Sequence, residues 1–222
     1  MYLRRWILGG LGSMLLALGG LGCAASGTEA GFQTLFDGSS IEGWEIYRRD
    51  DKPIRDDAWS VDGDVLACKG LRHYWFRYAA RTFDDFVLRL EYKVARKSNS
   101  GVCVRTTKEG DPPYTGFEIQ IMDDEGMLPN RYTSGAIYGV VTPMHNASKP
   151  VGQWNQMEIT ADGPLVKVVL NGFKLIDADL SQLTEPRGVF KKPHADLPPS
   201  GYICLQDHGS PVWFRNIRIK PL

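Results

Sequence analysis

Apolar side chains recur at every second position in short runs along most of this chain, and no stretch beyond its apolar start keeps a helical period for three turns. The run from Phe86 to Val94 is the plainest case. Phe86, Leu88, Leu90, Tyr92 and Val94 share one face, and Val87, Arg89, Glu91 and Lys93 share the other, because successive side chains of an extended backbone point to opposite sides. Comparable runs are expected at 58–61, 64–68, 101–106, 116–122, 135–141, 154–160, 165–170, 173–177, 201–206 and 212–219. Asp62-Gly63 and Asn171-Gly172 lie between such runs and suit two-residue hairpin turns, which require positive φ. Eleven short strands with no helical layer to cover them imply an all-β chain, a two-sheet antiparallel sandwich or jelly roll forming one domain over residues 32–222.

The start of the chain reads as an export signal. Arg4 and Arg5 precede an apolar run from Trp6 to Gly22, and small residues lead into Cys23. That order predicts a signal peptide over 1–22, lipid attachment at Cys23 and a short tether over 23–31, hence a cell-envelope protein held to the membrane by its lipid. Losing Arg4 and Arg5 leaves 24 basic against 26 acidic residues in the mature chain. With the charges interspersed, no electrostatic case for nucleic acid exists. Cys68, Cys103 and Cys204 remain as an odd set able to form at most one bridge, and no Cys-x-x-Cys pattern points to structural zinc.

Several strands carry unusual second faces. In 116–123, Phe117, Ile119 and Ile121 face a core while Glu118 and Gln120 face away, with Asp123 just past the end. In 99–105, Val102 and Val104 oppose Cys103 and Arg105; in 201–208, Ile203 and Leu205 oppose Tyr202, Cys204, Gln206 and His208; a short strand near 135 adds Tyr138. These faces lack the Lys/Glu mixture of a solvated sheet and are rich in short hydrogen-bonding groups, as a carbohydrate-binding or catalytic face requires. The long segments at 107–115, 123–134, 142–153 and 178–200 are expected to wall it. Arg215 falls on the face of Ile217 and Ile219, and Trp44, Trp59 and Trp154 are expected in the core.

The ordered set Leu35-Phe36-Asp37-Gly38 with Gly43-Trp44, Trp59-Ser60-Val61-Asp62-Gly63, Asn99-Ser100-Gly101-Val102, Gly116-Phe117-Glu118-Ile119-Gln120, Ser134-Gly135-Ala136-Ile137-Tyr138, Gly152-Gln153-Trp154-Asn155 and Leu205-Gln206-Asp207-His208-Gly209 resembles the 3-keto-disaccharide hydrolase domain family over residues 33–222. The resemblance implies a concanavalin-like jelly roll with a concave ligand face, and a glycoside substrate whose C3 hydroxyl has become a ketone. Such a ketone acidifies the C2 hydrogen, so a base can remove it and the C1 substituent can leave, with water adding back; direct hydrolysis is the other route. The chemistry needs a base, an acid and an enolate stabiliser. On this reading Glu118 and His208 are the acid–base pair, Arg105 holds the enolate oxygen, and Gln120, Asp123, Tyr138 and Gln206 bind the sugar. No cofactor is expected; Glu118, Asp123 and His208 offer ligand atoms for a divalent ion, but no tight spacing compels one.

Each nominee has a structural alternative. Arg105 could pair with Glu118 across adjacent strands, His208 could brace the turn before Pro211, and Asp123 could cap its loop. The competing function is a non-catalytic carbohydrate-binding lipoprotein using the same concave face, in which Glu118 and His208 would be surplus.

Overall fold

The computed structural model describes residues 30–48 and 54–222; the expected leader, most of the tether and the Cys23 lipid site lie outside them. The fold is a two-sheet antiparallel sandwich. The larger sheet holds β1 (Gln33–Phe36), β3 (Trp59–Asp62), β4 (Val65–Cys68), β6 (Phe86–Val94), β9 (Asn155–Asp162), β10 (Leu165–Leu170), β11 (Phe173–Asp179) and β13 (Val212–Pro221). The smaller runs β2 (Trp44–Arg48), β5 (Tyr74–Phe83), β12 (Gly201–Gln206), β7 (Asn99–Thr106) and β8 (Phe117–Met122), in that spatial order.

Between the sheets, Phe86, Leu88 and Leu90 of β6 and Ile217 and Ile219 of β13 meet Val102, Val104, Phe117, Ile119, Ile121, Ile203 and Leu205 from the small sheet. The outer face of the large sheet is charged, with Arg89 bonded to Glu158 at 2.6 Å and Arg215 to Glu91 at 2.8 Å. At Asn171-Gly172 both residues have positive φ, 52° and 85°, and Leu170 pairs with Phe173, the two-residue hairpin its dipeptide demands. At the other hairpin the pairing of Asp62 with Val65 shifts the turn by one residue, onto Gly63-Asp64.

The pattern of alternation fails in several places. β13 carries a bulge where Arg215 pairs with Glu91 and Arg218 with Arg89, three residues against two, with Asn216 at φ 52°. The extra residue turns Arg215 outward, onto Glu91 and under Trp154, whose ring lies 4.2 Å from the guanidinium on the outer face and outside the core. Residues 135–141 form bridges at Ile137 in place of a strand, because Gly135 and Gly139 take φ of 83° and 72°. β5 was not expected: most of its first half is buried on both faces, Trp75 and Arg77 as well as Phe76, so it lacks a polar–apolar rhythm.

Candidate active site

The non-core face of the small sheet is crossed by a row of paired residues, Glu45, Arg77, Cys204, Cys103 and Glu118, one from each of the five strands. Beside it Tyr47, Trp75 and Gln206 form a second row that continues to Gln120 across Gly101. Loops cover much of this face, so Glu118, Gln120, Arg77 and Gln206 are all buried. One end of the row is structural. The Arg77 guanidinium lies between the rings of Tyr47 and Tyr202, at 4.2 and 5.3 Å, and is held by Glu45 and the Lys108 carbonyl.

The other end opens into a cleft of about 330 Å³ lined by Glu118, Gln120, Gln206, His208, Tyr138, Trp75, Asn99, Asp111, Pro113, Tyr114, Arg72, His73 and Asp207. Glu118 lies across β7 at Gly101: a Cβ there would stand 2.1 Å from its Oε1, so only glycine leaves room for the carboxyl. Burial first, and the nearby Asp111 carboxylate second, push the Glu118 carboxyl up to about 8, while an amide hydrogen bond from Gln206 works weakly the other way. Gln120 donates to Asn99 Oδ1 at 2.8 Å. The side-chain amide oxygens (Oε1) of Gln120 and Gln206 and the indole N–H of Trp75 have no hydrogen-bond partner among the described residues. Buried polar atoms are rarely left unpaired, and three such atoms belong to residues that line this cleft.

Asp207 builds the opposite rim. Its carboxylate accepts from the backbone N–H groups of Leu71, Arg72 and Gly209 at 2.9, 3.0 and 2.9 Å, and its main chain pairs with His73 and Tyr74. Arg72 and His73 both have φ of 69°, a left-handed pair pinned by that carboxylate. The result sets Arg72, His73 and His208 together at the exposed edge. Partial desolvation, then the charge of Arg72, pulls the His208 imidazole below its ordinary range.

Arg105 is not in this cleft. A bulge intervenes: Cys204 pairs with Cys103 but Tyr202 with Thr106, so β7 spends three residues where β12 spends two, and Arg105 takes φ 52°. Thr106 therefore occupies the face of Cys103, its hydroxyl 3.4 Å from the Cys204 sulfur. The Arg105 guanidinium turns away to the carbonyls of Asp84 and Gly163 and the carboxylate of Asp85, at 2.9, 2.7 and 2.9 Å. Asp123 also points elsewhere, accepting from Lys97 N at 2.7 Å as a loop cap, so the Glu118, Asp123 and His208 ligand set is not assembled. Tyr138 does line the cleft, its N–H bonded to the Glu118 carbonyl and its ring edge-on to Tyr132. Cys103 and Cys204 are buried free thiols beneath it, and burial pushes the Cys204 thiol up to about 12.

Sequence reasoning missed Arg72, Asp111, Tyr114 and Asp207. His73 and the Tyr74-Trp75-Phe76 cluster beside it are readable in the sequence as an aromatic wall for a sugar, and His73 and Trp75 do line the cleft. The others depend on loop geometry.

The family model for the 3-keto-alpha-glucoside-1,2-lyase-like domain matches residues 31–220. The chain belongs to that family. It is 26% identical over 231 residues, covering 86% of this chain and 79% of the relative, to a 3-keto-disaccharide hydrolase of Bacteroides thetaiotaomicron. The crystal structure of a candidate glycosyl hydrolase from Parabacteroides distasonis superimposes with a TM-score of 0.74 at 32% identity, over 86% of this chain and 99% of that one. A carbohydrate-binding module from Bacillus subtilis, at 10% identity and a TM-score of 0.53 over 80% of this chain and 95% of its own, shares the fold alone.

Proposed function

We propose that this protein cleaves glycosides bearing a ketone at C3, by removal of the C2 proton and elimination of the C1 substituent. The observation that carries the reading is that Glu118 and His208 face one cleft and each is held toward its uncharged form. An elimination near neutral pH needs one group with a proton to give and another with a lone pair to take one. His208, as neutral imidazole, takes the C2 proton. The electron pair moves into the C2–C3 bond and the ketone oxygen becomes an enolate. That charge is met by Arg72, which fills at the cleft edge the role that the family resemblance implied for Arg105.

When the enolate collapses, the C1–O bond breaks and the departing oxygen takes the Glu118 proton. Water then adds across C1 and C2 to complete a net hydrolysis. Trp75, Gln120, Gln206 and Tyr138 are suited to hold the sugar hydroxyls, three of them through polar atoms now without partners. The names of the relatives support the sugar class.

The test is sugar release from a 3-keto-disaccharide and from its unoxidised parent. Release from the first only is expected, and Glu118→Gln or His208→Asn should lower kcat by about 10²–10⁴ with little change in sugar binding. Equal release from both substrates, or full turnover by both variants, would leave the carbohydrate-binding reading standing. The same proposal places the protein in the envelope, lipidated at Cys23; an intact residue 1 in the native protein's mass spectrum would contradict that placement.

A further inference from the structure

Adjoining the cleft is a second, mainly apolar cavity of about 440 Å³, open to solvent and lined by Tyr114, Val189, Phe190, His194 and Leu197, with the exposed Lys191 and Lys192. The two spaces share Tyr114. Its ring stands 5.5 Å from that of Phe190, which packs edge-on to Tyr138 at 6.5 Å, so one aromatic wall runs from the cleft into the cavity. His194 forms part of that cavity wall, edge-on to Phe190 at 4.7 Å. It is only 3% exposed, and neither ring nitrogen has a hydrogen-bond partner among the described residues. Burial pulls the imidazole down to about 4, so it is neutral at any physiological pH and offers one donor and one acceptor. A buried imidazole with both nitrogens unanswered, in an otherwise apolar cavity, is a site short of a ligand.

We infer that this cavity is the aglycone subsite, and that it takes a planar aromatic, hydroxyl-bearing leaving group attached to the sugar held in the cleft. The inference rests on the cleft being the 3-keto-sugar site and adds the class of glycoside that fills both. A ring on the sugar's C1 oxygen passes Tyr114, lies against Phe190, and presents a hydroxyl to His194. A second sugar would bury its hydroxyls against Phe190, Val189 and Leu197 with little to bond them. A small alkyl aglycone would leave the cavity empty.

The test compares the 6-hydroxy-2-naphthyl and methyl 3-keto-glucosides on the intact protein. Wild type should show a KM at least about tenfold lower for the naphthyl compound, the scale of a good aromatic contact. Val189→Trp fills the cavity from an exposed position and Phe190→Ala removes its main ring. Each should raise KM for the naphthyl compound about tenfold, and Val189→Trp, at a residue outside the cleft lining, should leave kcat/KM for the methyl compound unchanged. Free naphthalene-2,6-diol should inhibit wild type competitively and Val189→Trp weakly. Equal KM values for the two aglycones in wild type, or equal losses on both in both variants, would overturn the subsite. Failure to turn over the methyl compound at all would instead remove the cleft reading, and this one with it.

Discussion

Glu118 is the residue on which the chemistry turns, and its position has a cost that can be measured. Its folded pKa of about 8 stands above the ordinary 4.5, so the folded state holds the proton more tightly than the unfolded chain does. The stability this contributes is full below about pH 4.5 and is lost as pH rises through about 8. Glu118→Gln keeps the shape and removes the ionisation. Thermal unfolding should therefore show the variant and wild type close together at pH 5, and the variant more stable by about 1–3 kcal/mol at pH 9. The same two groups set the pH–rate profile: activity should fall on the basic side as Glu118 ionises near pH 8, and on the acid side only below the ordinary histidine range, as His208 protonates. Gly101 is the complement of Glu118. Gly101→Ala puts a methyl into the carboxyl group and should cost about 10²-fold in kcat, the usual penalty for displacing a reacting group by an ångström, while circular dichroism stays that of the parent.

At the level of elements, what could be read from the sequence was what strict alternation governs. β8 and β12 run without interruption through the residues that matter, so Glu118, Gln120, Gln206 and His208 were placed on one face by counting alone, and the structure brings all four to one cleft. Counting fails wherever a strand inserts an extra residue. The bulges at Arg105 and Asn216 are two such cases, each marked by a non-glycine at positive φ that nothing in the local residue types announces. β5 failed for a different reason, since loops bury the face that alternation needs to be polar. The exchange of arginines can be checked directly. Arg105→Met should lower stability by about 2 kcal/mol, since it breaks three partly buried hydrogen bonds made by a cation, and leave kcat nearly unchanged. Arg72→Met, at the exposed rim, should do the reverse.

In the whole molecule, the large sheet and its core make a rigid base, the small sheet presents two rows of polar residues, and loops from distant parts of the chain close over them. Arg72 and Asp111 come from those loops and Tyr114 from the single helical turn Pro112–Thr115 within one of them, and no short-range pattern predicts where such side chains will lie. Arg72 is where it is because Asp207, 135 residues away, binds its backbone. The central claim is that bond cleavage at C1 runs through loss of the C2 proton, and solvent isotope tests it most directly. A 3-keto-disaccharide cleaved in deuterium oxide, with the product isolated early and corrected for exchange of the free keto-sugar, should yield a sugar carrying one deuterium at C2. Sugar released at the full rate with its original C2 hydrogen intact would contradict the account.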